Sequence, residues 1–127
     1  MVETHFQLDV YKKAFDAAMT WYEASKAFPR EEAYSLTDQG RRATRSVCAN
    51  LAEAWRKRMY EAAFVAKITD AEAEAAESQT WVSFAVRCGH LGRDRGAELH
   101  RAYDEVLRML VAMRCKPEVW LIQPGKT

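Results

Sequence analysis

The stretch from Leu36 to Arg58 limits the possible folds of this chain more than any other part of its sequence. Its small and apolar residues recur every three or four positions, a periodicity that predicts one helix with a single buried face. These residues are Leu36, Ala43, Val47, Leu51 and Ala54. Gly40 inside this helix costs about 1 kcal/mol relative to alanine, so it also predicts that another helix approaches closely here.

Three further segments show the same periodicity and are separated by few helix-breaking residues. Phe28-Pro29 ends the first, because a residue that precedes proline is disfavoured in the helical conformation, and a glycine-rich stretch from Gly89 to Gly96 separates the last two. The predicted helices span residues 6–27, 34–57, 60–88 and 97–115, followed by a C-terminal tail, 117–127. This pattern predicts an all-α fold, an up-down-up-down antiparallel four-helix bundle forming a single domain, 1–127.

Each predicted helix has an apolar stripe that we expect to form the core. In the first helix this stripe comprises Leu8, Tyr11, Phe15, Ala18, Met19 and Tyr22. The third helix has small side chains around Ala71 and Ala75, which we expect at a contact with a neighbouring subunit. The apolar tail residues Trp120, Leu121 and Ile122 are expected to join the same oligomer interface, because a monomer seldom leaves such a group in water.

Composition excludes several classes of protein. The chain has 127 residues, of which 49% are hydrophobic and 29% are charged, a balance typical of a globular domain rather than a disordered one. No apolar run approaches the ~20 residues that span a bilayer, and the N-terminus lacks the pattern of a signal peptide. The odd number of cysteines favours reduced thiols. We therefore predict a cytoplasmic protein.

The charges are unevenly distributed although the net charge is only +1. Residues 41–58 carry six basic side chains against Glu53, whereas residues 61–77 carry five acidic side chains against Lys67. Such asymmetry steers an anionic ligand or orients one subunit against another, and both interpretations stay open. The basic residues are Arg41, Arg42, Arg45, Arg56, Lys57 and Arg58.

These basic residues, together with Trp55, form the candidate nucleic-acid-binding site. An aromatic ring among cations can stack on a base while the cations contact phosphates. The competing interpretation of Trp55 is a packing tryptophan beside solvated charges. Four polar residues near the buried side of the same helix predict an internal hydrogen-bond network that fixes helix register, with direct ligand contact as the alternative. They are Gln39, Ser46, Asn50 and Glu53.

No constellation of residues indicates an enzyme, a cofactor or a metal. The histidines at 5, 90 and 100 are too scattered to share an obvious metal site, and no glutamate precedes a histidine at the spacing of a di-iron bundle. Cys48, Cys88 and Cys115 form no Cys-x-x-Cys pair and are expected to be buried structural thiols. A Cys88–His90 nucleophile is disfavoured, because catalytic pairs are usually assembled from separate parts of a chain.

The helix-2 stretch resembles a family of small proteins encoded by intervening sequences in bacterial large-subunit ribosomal RNA genes. Their hallmark is approximately LTxQLRRAxxSIPxNIAEG. The positions that match are Leu36, Thr37, Gln39, Arg41, Arg42, Ala43, Ser46, Asn50, Ala52 and Glu53. The chain departs from this hallmark at Gly40, Cys48 and Ala54, where the family usually has leucine, proline and glycine. Residues 8–14 and the Phe28–Glu32 turn resemble the family's L-x-V-W-x-K-A and FPxxE segments.

The resemblance implies a four-helix bundle. Related proteins include the accessory variability determinant of diversity-generating retroelements, a pentameric bundle associated with reverse transcriptase and nucleic acid. The resemblance thus implies a homopentamer that binds RNA or DNA, or a protein partner such as a reverse transcriptase. We expect either an oligomeric bundle that binds structured nucleic acid through helix 2, or an oligomeric scaffold that recruits a protein without binding nucleic acid.

Overall fold

Four long helices account for most of residues 1–122, the part of the chain that the computed structural model describes. They are α1 (Asp9–Ser25), α2 (Leu36–Arg56), α3 (Glu61–Arg87) and α4 (Arg93–Cys115). Short 3-10 turns occur at His5–Gln7, Arg30–Glu32 and Pro117–Val119. Each of α1 and α3 packs against both α2 and α4, which closes the bundle. The predicted all-α four-helix fold is confirmed, with no strand in residues 1–122.

The largest difference from the predicted boundaries is the start of α4, which lies four residues before the expected Ala97. Gly92 has an extended conformation and its carbonyl accepts the first helical hydrogen bond, from the Gly96 amide at 2.9 Å. Gly96 is therefore helical rather than part of the loop, and its lack of a side chain leaves room for Val86 of α3. Within residues 1–122, Gly89 alone has a left-handed conformation, with φ of 79°, where the chain leaves α3.

Helix α1 buries a different face from the one that we predicted. The buried row contains Val10, Ala14, Ala17, Ala18 and Trp21. Phe15 and Met19, both expected in the core, are 46% and 43% exposed. The small side chains of the buried row let α1 lie close to the bundle, and Trp21 is the one large side chain among them. The core prediction for Phe15 and Met19 was therefore wrong.

Gly40 accommodates the indole ring of Trp21, which is fully buried. A Cβ atom at residue 40 would overlap that ring. The close approach that we predicted at Gly40 is thus present, and the approaching group is a side chain of α1. Phe28 packs edge-on against Trp21 with 5.3 Å between ring centroids, which completes this end of the core.

The C-terminal tail packs on its own subunit as far as residue 122. Trp120 and Leu121 are half-buried against the core, and the Ile122 amide donates a hydrogen bond to the Arg58 carbonyl at 3.1 Å. These contacts reduce the exposed apolar surface from which we predicted an interface role for the tail. No helix among the described residues is long and apolar enough to cross a membrane.

Candidate nucleic-acid interface

Arg41 points from α2 toward α1, where its charge is used within the subunit. Its Nε donates a hydrogen bond to Oγ of the buried Ser25 at 2.9 Å. Its guanidinium also lies over the ring of Tyr22, 4.8 Å from the centroid. A cation held over an aromatic face is stabilised by the ring quadrupole. Arg41 therefore joins α1 to α2.

Arg42 lies on the other side of α2 and bridges to α3. Its Nη2 is 3.2 Å from Glu77 Oε2, and it also donates to Gln39 Oε1 at 3.1 Å. A second pair, Lys67 with Glu53 at 3.2 Å, connects the same two helices. The opposite charges of α2 and α3 are thus partly satisfied within the bundle, so Arg42 is not a free phosphate ligand.

Three cations of α2 and its exit remain exposed without an acidic partner among residues 1–122: Arg45, Arg56 and Lys57. Arg45 and Arg56 are separated by about three helical turns, so they share one face at a distance of ~16 Å along the axis. Arg45 also lies 5.7 Å from the centroid of Tyr22. These three cations, Arg45 and Arg56 on one face of α2 and Lys57 at its C-cap, are called the basic face below.

Trp55 is not available to stack on a base, because only 5% of its surface is exposed. Arg58 covers its ring, with the guanidinium carbon 3.4 Å from the centroid. Nε of Arg58 also donates to the Trp55 carbonyl at 2.7 Å. Burial lowers the pKa of Arg58, and the nearby Arg56 adds to this effect. The placement of Trp55 in a base-stacking site is corrected: it is a core residue, and Arg58 caps it.

The four predicted network residues form separate local contacts along α2 rather than one connected network. Asn50 Nδ2 donates to the Ser46 carbonyl at 2.9 Å and to Ser46 Oγ at 3.2 Å. Gln39 accepts from Arg42, and Glu53 pairs with Lys67. Glu53 connects α2 to α3 directly, and Gln39 does so through Arg42, which pairs with Glu77. The central Ser46–Asn50 pair bonds only within its own helix. The amide nitrogen of Asn50 thus donates its hydrogen bonds within α2.

Ala71 and Ala75 have no exposed surface in the subunit. They lie between helices in the bundle core, where their small side chains let the helices pack closely. A residue that its own subunit fully encloses cannot contact a second subunit. Their assignment to an oligomer interface is therefore corrected to the core.

The surface that sequence reasoning missed is the outer row of α1, which we call the aromatic stripe: Tyr11, Phe15, Met19 and Tyr22. The rings of Tyr11 and Phe15 are stacked with centroids 6.0 Å apart. Between α1 and α2, a groove of about 370 Å³ runs along this stripe, and Arg45 contributes to its lining from α2. The signal in the sequence was the second row of α1, whose alanines and Trp21 also repeat at helical spacing. The prediction favoured the row with more large side chains and was wrong.

The cysteines differ in their surroundings. Cys48 is buried as expected, and burial raises its pKa to about 11, so the thiol stays protonated at neutral pH. Cys88 and Cys115 are exposed, which contradicts their assignment as buried structural thiols. Glu32, Cys88 and His90 are the group of metal-ligating side chains that meets in the described part of the chain.

Glu74 in the acidic part of α3 provides a test of pH-dependent stability. Burial raises its pKa, and the neighbouring Glu77 adds to the rise. A carboxyl whose pKa is higher in the folded than in the unfolded state destabilises the fold when ionised. That cost is complete above the folded pKa and absent below the ordinary value of 4.5. Glu74→Gln is therefore expected to raise Tm at pH 7 by a few degrees at most, and by less as the pH falls toward 4.5.

Thermal unfolding of the wild-type and Glu74→Gln proteins between pH 7 and pH 4.5 measures the effect. Glu72→Gln is the matched control, because it also removes one acidic charge from α3 but eliminates the ion pair of Glu72 with Arg114. We expect Glu72→Gln to lower Tm at pH 7. A Glu74→Gln protein that is less stable than wild type at pH 7 would contradict the prediction.

Comparison with known proteins identifies a family and a similar fold. Residues 6–112 match the family model of the 23S rRNA-intervening sequence protein. A solved structure from Bacteroides thetaiotaomicron VPI-5482, of a protein with unknown function from the S23 ribosomal protein family, superimposes with a TM-score of 0.75. It is 22% identical in sequence, and the alignment covers 84% of this chain and 95% of that one. No curated protein matches the sequence.

Proposed function

This chain belongs to the 23S rRNA-intervening sequence protein family, and from its exposed cations we propose that it is a non-enzymatic homo-oligomer that binds structured nucleic acid. The observation that carries the proposal is the basic face, where Arg45, Arg56 and Lys57 are exposed without acidic partners among residues 1–122. Phosphate contacts need such free cations, because a cation already paired with a carboxylate gains little from a phosphate.

Assembly supports this function by repeating the basic face. The basic face of one subunit offers three such cations, and the net charge of +1 gives little general attraction for a polyanion. A closed ring presents the same face once per subunit, so that each contact after the first is intramolecular and raises the overall affinity. We propose a homopentamer, a number that comes from the resemblance to pentameric bundles.

The experiment is a salt titration of binding to a structured RNA, measured by fluorescence anisotropy. Arg45→Gln with Arg56→Gln is expected to weaken binding at least tenfold at ~50 mM salt and to flatten the slope of log K against log salt. Removing one cation that neutralises a phosphate of a duplex region reduces that slope by about 0.9. Binding that is absent at low salt in the wild-type protein would refute nucleic-acid binding.

The matched control removes two arginines from α4. Arg101 and Arg108 are exposed and lie among Glu98, Asp104 and Glu105. Arg101→Gln with Arg108→Gln changes the net charge by the same amount, but its acidic surroundings leave little affinity for phosphate to lose. Equal effects of the two double substitutions would mean that net charge, and not the basic face, determines binding.

A second candidate function is a scaffold for a protein partner such as a reverse transcriptase. The aromatic stripe favours protein contacts over phosphate contacts, because an exposed apolar row is suited to a protein surface, either a second subunit or a partner, and contributes nothing to phosphate binding. The titration separates the candidates. An oligomer that assembles normally and binds no RNA or DNA at low salt would support the scaffold.

A further inference from the structure

Two connections of the bundle meet at one end of the molecule, and they bring together side chains that are distant in sequence. The turn Arg30–Glu32 precedes α2, and residues 88–92 connect α3 to α4. Nε2 of His90 lies 3.0 Å from Oε2 of Glu32. The ligand atoms of Glu32, Cys88 and His90 all lie within 4.8 Å of one another.

The backbone and a neighbouring hydroxyl hold these three side chains in place. The left-handed conformation of Gly89 turns the chain so that the residues on either side of it face the same space. The His90 amide donates to the Ala85 carbonyl at 2.9 Å, which fixes the turn to the end of α3. Ser35 Oγ donates to Oε1 of Glu32 at 2.7 Å, so the other carboxylate oxygen is directed at His90.

We propose that Glu32, Cys88 and His90 bind one Zn²⁺ ion. A thiolate, an imidazole and a carboxylate are the three ligand types that Zn²⁺ takes in proteins, at about 2.0–2.3 Å. A tetrahedral ion at these lengths separates its ligand atoms by about 3.3–3.8 Å. The observed cluster needs only small side-chain movements to reach this geometry.

The cluster has the supporting contacts expected around a zinc ion. The Ser35 hydroxyl orients the carboxylate, as hydrogen-bonded neighbours of metal ligands usually do. The ring of Phe28 lies 5.8 Å from that of His90 and covers one side of the cluster. Cys88 is exposed, so a fourth coordination position would be open to solvent and available to water. A simple Glu32–His90 hydrogen bond explains two of these side chains but assigns no role to Cys88.

Zinc at this position would fasten the connection before α2 to the connection before α4. Binding to the folded state alone raises its stability in proportion to the logarithm of the zinc concentration. The thiolate form of cysteine is the zinc ligand, so removing the Cys88 sulfur would remove one of the three protein ligands. The site thus predicts two effects: Tm rises with the zinc concentration, and the affinity for zinc falls when Cys88 is replaced.

The test uses the full-length, reduced protein titrated with Zn²⁺ and separately with Co²⁺. We expect one ion per chain, and a Co²⁺ spectrum with a thiolate charge-transfer band in the near ultraviolet. Cys88→Ser and His90→Gln are each expected to reduce Zn²⁺ affinity at least tenfold and to abolish the rise of Tm with zinc. The controls are Cys115→Ser and His100→Gln, which remove an exposed thiol and an exposed imidazole elsewhere.

Each outcome decides the proposal. Absence of stoichiometric binding to the wild-type protein overturns it, as does full affinity in Cys88→Ser. A thiolate band that disappears in Cys115→Ser and persists in Cys88→Ser also overturns it, because the wrong cysteine would be the ligand. The Co²⁺ spectrum of the wild-type protein needs no variant, so the test holds even if His90→Gln folds poorly.

Discussion

Replacing Gly40 with alanine is expected to lower the free energy of unfolding by about 1–3 kcal/mol, the usual cost of forcing an extra carbon into a packed core. Alanine gains about 1 kcal/mol of helix propensity over glycine, but the new Cβ would overlap the buried indole of Trp21. The cost of this overlap exceeds the gain in helix propensity, because Trp21 has no exposed surface and cannot move aside without disturbing the core. Denaturant unfolding followed by circular dichroism measures the change.

The control for this prediction is Gly92→Ala, because a Cβ at Gly92 meets no atom within 4 Å. We expect it to change stability by less than about 1 kcal/mol, mainly through the helix N-cap. Trp21→Phe tests the mechanism, since the smaller ring leaves room for the new methyl group. Gly40→Ala should therefore cost less in the Trp21→Phe protein than in the wild type. Equal costs in both proteins would show that the indole is not the cause.

We propose that the aromatic stripe is the subunit contact of the proposed homopentamer, so charges placed in it are expected to dissociate that assembly. Phe15→Asp with Met19→Asp should leave a folded monomer of 14.6 kDa in place of a pentamer of ~73 kDa. Burying one large apolar side chain contributes about 1.5–3 kcal/mol, and a buried unpaired carboxylate costs several kcal/mol more. The fold should survive, because both positions are already exposed within the subunit. Light scattering across the micromolar range measures the mass.

Phe84→Asp is the matched control for assembly, since Phe84 on α3 is 54% exposed and lies outside the stripe. We expect this protein to assemble like the wild type. If Phe84→Asp dissociates and the double substitution does not, another face of the bundle forms the contact. A wild-type protein that is monomeric throughout the concentration range would refute assembly altogether.

The arginines of α2 show how much of the candidate site can be predicted from the sequence. Their number and their place on one helix were evident from the sequence, and so was a competition between ligand and interface roles. The contacts of each arginine with the neighbouring helices decided which of the two roles remains open to it. Arg41 donates a hydrogen bond to α1 and Arg42 forms an ion pair with α3, whereas Arg45 is exposed. Arg58 is separated from them by its contact with Trp55.

Sequence alone determined the four helices, the bundle and the close approach at Gly40, because helical periodicity and propensity act between residues three or four positions apart. Tertiary structure decided which row of α1 is buried, because both rows satisfy that periodicity and only packing against α2 and α4 distinguishes them. It also decided the meeting of Glu32 with His90, which are 58 residues apart. No local pattern encodes such a contact: it exists because two connections lie at the same end of an antiparallel bundle.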